Sequence, residues 1–142
     1  MSELDPRLLA LFDAQRRSVL VTLRRDGRPQ LSNVMHHWDA ATSTATISVT
    51  ADRAKTRNAS RDPRVSLHVT TEDFWSYAVL DGRAVLGPVA TDPGDEAVAG
   101  LVEYYRRVAG EHPDWDEFRR AQVAERRQLL SVTAEHVYGS AH

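Results

Sequence analysis

Two apolar segments joined by an Asp-Gly turn do most to limit the folds open to this chain of 142 residues. Residues 18–24 (Ser-Val-Leu-Val-Thr-Leu-Arg) and residues 30–38 each have the composition of a strand, and Asp26-Gly27 lies between them. Asp-Gly favours the backbone angles of a tight hairpin turn, so the two segments are predicted to pair antiparallel. The sheet is therefore expected to begin with a β-hairpin.

Later strands follow the same pattern with short connections. Three segments have clear strand character: residues 45–50, 65–70 and 129–138. A fourth, residues 75–89, is a long strand in which Gly82 and Gly87 are expected to mark bulges or bends. These four and the hairpin predict six strands that are mainly antiparallel.

Four helices are predicted from their start and stop signals. Asp5-Pro6 starts a helix over residues 6–15, and Asp52 is the expected N-cap of a short helix that runs to about residue 61. Asp92-Pro93 and His112-Pro113 open the other two. The size of the chain predicts a single domain over residues 1–142, an α+β fold in which a small β-barrel carries flanking helices.

Composition argues against several classes of protein. The formal net charge of −2 gives no support for a nucleic-acid partner, and the absence of cysteine excludes disulfides and cysteine-type zinc sites. His36 and His37 are adjacent on a predicted strand and point to opposite faces, so no metal site is expected. Without a long apolar run or a signal-peptide pattern at its start, the chain is expected to be soluble and cytoplasmic, with no membrane partner.

The densest basic cluster contains the only lysine among 18 lysine and arginine residues. Arg53, Lys55 and Arg57 fall in the first two turns of the predicted short helix, where cations oppose the helix dipole. A bound phosphate or carboxylate would reverse that unfavourable sign, because helix N-termini attract anions. The cluster is therefore interpreted as an anion site, and the alternative is a solvated surface cluster.

Further polar and aromatic residues could complete a ligand site. Gln30 and Ser32 share one face of their strand, as do Ser48 and Thr50 on the next, and these short side chains could hydrogen-bond a heterocycle or a polyol. The alternative for each of them is a half-exposed position facing water. Trp75 and Tyr77 are expected on one face of a strand and could wall a flat ring, although such pairs more often belong to a core. Arg126 and Arg127, assigned to the last helix, could reach an anion at a subunit contact.

Several of these segments together resemble the pyridoxamine-phosphate-oxidase-like split-barrel flavoproteins, and most of all the actinobacterial group that uses the deazaflavin coenzyme F420. The most specific pieces are Gly27-Arg28-Pro29-Gln30-Leu31-Ser32-Asn33 and Arg53-Ala54-Lys55-Thr56-Arg57-Asn58. Supporting pieces are Asp62-Pro63-Arg64, Trp75-Ser76-Tyr77, Ala109-Gly110-Glu111-His112 and His136-Val137-Tyr138-Gly139. The resemblance covers residues from about 8 to 139 and implies a six-stranded split β-barrel.

The resemblance also implies a homodimer with two cofactor sites at the interface. It assigns the cofactor's phosphate to Arg53 and Lys55, with Asn58 nearby, and the pocket wall to Trp75 and Tyr77. Arg126 or Arg127 would come from the second subunit. The flavin or deazaflavin ring and its ribityl chain would be lined by Gln30, Ser32, Asn33, Ser48 and Thr50.

The implied chemistry is hydride transfer between F420 and a small organic acceptor, in which the protein supplies binding, orientation and exclusion of water. No protein nucleophile is required, and the catalytic residues and the acceptor stay undefined. FMN is the alternative cofactor, since a phosphate-binding Arg and Lys would serve either one. A second alternative is a protein that carries F420 without catalysis.

Overall fold

The structure is a computed structural model that describes residues 4–142. Residues 1–3, which belong to the N-terminal segment without signal-peptide character, lie outside the described residues. Eight strands occur in the described range: β1 (Arg17–Leu23), β2 (Pro29–Met35), β3 (His37–Asp39), β4 (Thr44–Thr50), β5 (Arg64–Thr70), β6 (Tyr77–Leu86), β7 (Arg127–Thr133) and β8 (His136–Ser140). Four helices flank them: α1 (Pro6–Ala14), α2 (Ala54–Arg61), α3 (Glu96–Ala109) and α4 (Trp115–Ala124).

The sheet is antiparallel at every strand pair, which confirms the predicted α+β barrel class. The strands follow the order β2-β1-β5-β6-β7-β4-β3, and β8 pairs with β6 beside that path. The predicted number of six strands is too low because two predicted strands are each broken in two. The break at His36 separates β2 from β3, and the break at residues 134–135 separates β7 from β8.

The bend at His36 connects the two ends of the strand order. β2 and β3 lie at opposite ends of the strand order, yet only this residue separates them in sequence. The His36 ring is 1% exposed, and its Nε2 donates to the carbonyl oxygen of Phe12 at 2.8 Å, since that oxygen can only accept. Nδ1 therefore accepts from the hydroxyl of Ser18, also at 2.8 Å. A buried neutral imidazole thus fixes the point where the chain crosses from one sheet edge to the other.

His36 is expected to make the fold less stable in acid. Burial lowers the pKa of His36 below its ordinary 6.5, so the unfolded chain binds a proton that the folded ring resists. Its contribution to stability is complete above that ordinary pKa and is lost as pH falls below it, by at most about 1.4 kcal/mol per pH unit. Urea unfolding near pH 7.5 and pH 5.5 should show a larger loss for the natural protein than for His36→Asn. Equal losses would contradict this account.

β6 exchanges one neighbour for another along its length. Its first half pairs with β8 as far as Asp81 opposite His136, and its last residues pair with β7 from Ala84 opposite Val132. Gly82 lies at the exchange, where a side chain would overlap the carbonyl oxygen of Thr133. The glycine predicted as a bend is therefore a point of close backbone approach. Gly87 lies just beyond the end of β6, which stops short of the predicted residue 89.

The main core fills the barrel, and a smaller apolar cluster lies under α3 and α4. In the barrel, α1 contributes Leu8 and Phe12 to an interior built from the inward faces of the strands. The second cluster joins Val98, Leu101 and Val102 of α3 to side chains of α4 and β7. None of the helices in residues 4–142 has the length and apolarity that a membrane span needs.

Three of the four helices start later than predicted because other residues are their N-caps, whereas α1 starts at Pro6 as predicted. The N-cap of α2 is Arg53, not Asp52, whose carboxylate instead pairs with Arg126 at 2.9 Å. Asp95 and Asp114 cap α3 and α4 by accepting from backbone N–H groups in the first turn, so the two helices start three and two residues after the predicted prolines. Gly110 is the C-cap of α3, with a positive φ of 88°.

Candidate cofactor site

Lys55 lies at the start of α2 and lines a cleft between the barrel and the α3–α4 pair. The strand before it, β4, ends at Thr50, and the hydroxyl of Thr56 donates to the Thr50 carbonyl at 2.8 Å, which anchors the first turn of α2. The cleft has a volume of about 410 Å³. We call it the Lys55 cleft; its lining residues are Asn33, Val34, Met35, Ser48, Lys55, Leu101, Tyr104, Tyr105, Phe118, Gln122, Glu125 and Arg127.

Arg127 provides the second cation of the cleft. It is the first residue of β7, not a helical residue as predicted, because α4 ends at Ala124. Its guanidinium donates from Nη1 to Ser48 Oγ at 3.3 Å and from Nε and Nη2 to one oxygen of Glu125 at 3.1 and 3.0 Å. Ser48 and Arg127 can meet because they share one face of the paired strands β4 and β7.

The side chain of Lys55 is half-buried and has no acidic partner. Within residues 4–142, no carboxylate oxygen lies within 4.0 Å of its ammonium group. Burial lowers the pKa of Lys55, and the positive charges of Arg127 and Arg53 lower it further. A desolvated cation between two others is unfavourable without an anion, so the cleft is chemically suited to a phosphate or carboxylate ligand.

The titration of Lys55 can be followed without overlap from other lysines, because it is the only lysine in the chain. Protein labelled with ¹³C at the lysine ε-carbon should show a single lysine signal whose titration gives a pKa below the ordinary 10.5. Binding of inorganic phosphate should raise that pKa, since an anion favours the charged form.

Arg127→Gln serves as the control for the titration. It removes one of the repelling charges and should also raise the pKa of Lys55. A free-protein pKa at or above the ordinary value would contradict the desolvated site.

Tyr104 is a cleft residue that the sequence did not single out. Its hydroxyl donates to the carbonyl oxygen of Met35 at 2.5 Å and so ties α3 to the end of β2. Burial raises the pKa of Tyr104, although Arg127 opposes the shift, so the phenol stays protonated as a donor. The signal was its spacing of three residues from Leu101, which places both on one helix face. Tyr105, Phe118 and Glu125 also belong to none of the motifs that the sequence analysis describes.

Two predicted ligand residues line a different cleft on the other side of α2. Gln30 and Asn58 lie in a larger cavity of about 910 Å³. Asn58 is buried; its amide donates to Gln30 at 2.9 Å and to Thr22 at 3.2 Å, while its oxygen accepts from Arg61 at 3.0 Å. These hydrogen bonds attach α2 to the first hairpin. We call this cavity the arginine cleft, after its basic lining residues Arg24, Arg25, Arg57 and Arg61.

The remaining predicted residues lie around the two clefts. Arg53 is exposed at the N-cap of α2, close enough to lower the pKa of Lys55. In the described part of the chain, Ser32 and Thr50 are half-buried and line neither cleft. The predicted face-sharing is confirmed for Gln30 with Ser32, and Asn33 faces the other side of β2.

Trp75 and Tyr77 are not brought to the Lys55 cleft of their own chain. The prediction that both lie on a strand is wrong, because β6 begins at Tyr77 and Trp75 belongs to the preceding turn, next to Phe74 with its positive φ of 71°. The side chains are exposed, 73% for Trp75 and 38% for Tyr77.

The resemblance seen in the sequence agrees with a family match over nearly the whole chain. Residues 4–141 match the pyridoxamine 5'-phosphate oxidase family. The match includes both clefts, all eight strands and all four helices of the described residues.

Solved structures of related architecture support the fold. An F420 reductase has a TM-score of 0.67 at 23% identity, covering 91% of this chain and 94% of that one. A protein described as a pyridoxamine 5'-phosphate oxidase from Listeria innocua has a TM-score of 0.65 at 15% identity, with 96% and 97% covered. The heme storage protein HutZ from Vibrio cholerae has a TM-score of 0.67 at 14% identity, with 96% and 94% covered.

Identities this low show a common fold, and the three proteins differ in what their names say they do. The family match is a separate finding from these structural comparisons and extends over residues 4–141. By that match and by its antiparallel barrel with flanking helices, this chain belongs to the pyridoxamine 5'-phosphate oxidase family.

Proposed function

We propose that the Lys55 cleft binds the phosphate-bearing part of coenzyme F420 and that the protein is an F420-dependent reductase of a small organic acceptor. The observation that carries the proposal is the half-buried, unpaired ammonium of Lys55 beside the guanidinium groups of Arg127 and Arg53. Similarity to a solved F420 reductase supports the choice of cofactor.

The residues of the cleft fit such a cofactor in chemical type. Lys55 and Arg127 would pair with the phosphate, and the hydroxyl of Ser48 and the amide of Asn33 would hydrogen-bond the polyol or ring. Tyr105 and Phe118 add an apolar wall of aromatic rings. These groups bind and orient the cofactor and exclude water from one side of it.

When bound in reduced form, F420 supplies a hydride, and the protein need not supply a nucleophile. Tyr104, with its pKa raised, keeps its proton and holds the Met35 carbonyl, which fixes the end of β2 beside the cleft.

FMN is the second candidate, because the matched family is described as pyridoxamine 5'-phosphate oxidase and FMN also carries a phosphate. The two are compared by titrating the purified protein with F420, following its fluorescence, and with FMN under the same conditions. Tighter binding of F420, followed by oxidation of reduced F420 in a screen of acceptors, supports the reductase. Tighter FMN binding overturns it, and F420 binding without turnover of any acceptor indicates a carrier.

We also propose that a second copy of the chain completes the site as a homodimer. Strand register places Leu31, Met35, Tyr77 and Tyr138 on one outer face of the sheet, exposed by 63%, 40%, 38% and 48%. Asn33 and Met35 belong both to this face and to the Lys55 cleft, so a copy packed there would close the cleft.

The dimer is tested by light scattering of the eluted protein. Leu31→Glu should convert a dimer into a monomer, because a charge would be buried in an apolar contact. The exposed control Glu117→Gln, which lies on α4 away from this face, should remain dimeric. A natural protein that elutes as a monomer at all concentrations would contradict the proposal.

A further inference from the structure

The Lys55 cleft contains an acidic side chain that already forms an ion pair with one of its two cations. Glu125 lines the cleft, and one of its carboxylate oxygens accepts hydrogen bonds from both Nε and Nη2 of Arg127. The contact is built into the backbone, because Arg126 has a positive φ of 54° and turns the chain between Glu125 and Arg127. Lys55, in contrast, has no carboxylate within 4.0 Å in the described chain.

The charges that line the cleft therefore nearly cancel. Lys55 and Arg127 are positive and Glu125 is negative, so the lining carries a net charge of one positive unit. Attraction between this lining and a ligand grows in proportion to the ligand's charge. The cost of removing the ligand from water grows more steeply, with the square of its charge. A weakly positive, half-buried cleft consequently favours a singly charged ligand over a doubly charged one.

We infer that Glu125 determines the cofactor preference of the cleft by selecting a singly charged phosphodiester over a doubly charged phosphomonoester. The inference rests on the proposed function and narrows it. F420 carries its phosphate as a diester, whereas the monoester of FMN carries about −1.5 to −2 at neutral pH. Glu125 repels the second charge of FMN and keeps Arg127 from pairing fully with it.

The test uses simple esters, which carry the same charges without a ring. Protein labelled at the lysine ε-carbon is titrated near pH 8 with dimethyl phosphate, a monoanion, and with methyl phosphate, a dianion, while the single Lys55 signal is followed. Glu125→Gln should increase the affinity for methyl phosphate by about three- to tenfold. The logarithm of this increase should be about twice the logarithm of the increase for dimethyl phosphate, because the dianion carries twice the charge.

Glu117→Gln is the matched control, because Glu117 is exposed on α4 and this substitution removes the same charge at a position outside the cleft. It should leave both affinities within about twofold of the natural protein. Equal gains for both esters in Glu125→Gln, gains of the same size in Glu117→Gln, or a Lys55 signal that responds to neither ester would each overturn the inference.

Cofactor titrations separate this inference from the proposed function. Glu125→Gln should shift the ratio of FMN to F420 affinity toward FMN by about threefold or more. If both cofactors bind and the ratio is unchanged, the inference fails and the function stands. If neither cofactor binds while the esters behave as expected, the function fails and the charge selection by Glu125 stands.

Discussion

Lys55→Ala is expected to weaken the binding of F420 by roughly 10- to 150-fold, which corresponds to about 1.5–3 kcal/mol for a hydrogen bond to a charged group. The loss is large because Lys55 is the cleft cation without an acidic partner, so its full charge is available to the ligand. Stability should hardly change, by about 0.5 kcal/mol or less, since the variant also removes a desolvated charge repelled by two arginines. Fluorescence titration and urea unfolding measure the two effects.

Two comparison variants sharpen this expectation. Lys55→Arg should give intermediate affinity, because a planar fork cannot reproduce the position of a compact ammonium group. Arg119→Ala removes a cation from α4 outside the Lys55 cleft and should leave the affinity unchanged. If Lys55→Ala binds F420 as tightly as the natural protein, the phosphate assignment is wrong.

Gly82→Ala is expected to destabilise the fold by about 2–3 kcal/mol, the upper part of the range for overpacking in a core. A methyl group at this position would overlap the carbonyl oxygen of Thr133 and lie 2.7 Å from Cγ2 of Val132. Backbone cannot move aside as the tip of a flexible side chain can, so β6 and β7 would have to separate where β6 changes partner. The midpoint of urea unfolding measures the loss.

Gly87→Ala provides the matched control on the same segment. A methyl group there would make an ordinary contact of 3.5 Å with the carbonyl oxygen of Leu129. Its stability should stay within about 1 kcal/mol of the natural protein. Equal effects at the two glycines would show that the close approach at Gly82 is not what limits the substitution.

Local signals in the sequence predicted the elements of the fold well and their interruptions poorly. Asp26-Gly27 and the β-branched runs on either side of it predicted the first hairpin, which the paired strands β1 and β2 confirm. Nothing local predicts the bend at His36, because the residues around it include no glycine or proline that would mark a break. The bend depends on tertiary partners, Phe12 and Ser18, that hold the imidazole inside the barrel.

The sequence predicted residues of the candidate site only where they lie on elements that follow one another in the chain. Ser48 and Lys55 follow one another along the chain, and the structure places both in one cleft. Asn58 was expected beside Lys55, yet one turn of α2 directs it to the opposite side, where it bonds Gln30. Tyr104 and Glu125 reach the cleft because α3 and α4 pack over β7, a placement that single-sequence patterns do not contain.

The hydrogen bond from Tyr104 to Met35 also limits the aggregation of the protein through the edge of its sheet. β2 is an edge strand, and the unpaired backbone groups of such a strand are a template for adding strands from other molecules. Here the strand begins with Pro29, which has no N–H to offer, and ends on a Met35 carbonyl that the phenol already occupies. Growth of an intermolecular sheet along this edge is thereby obstructed at both ends, while the apolar face remains open for a partner that packs flat against it.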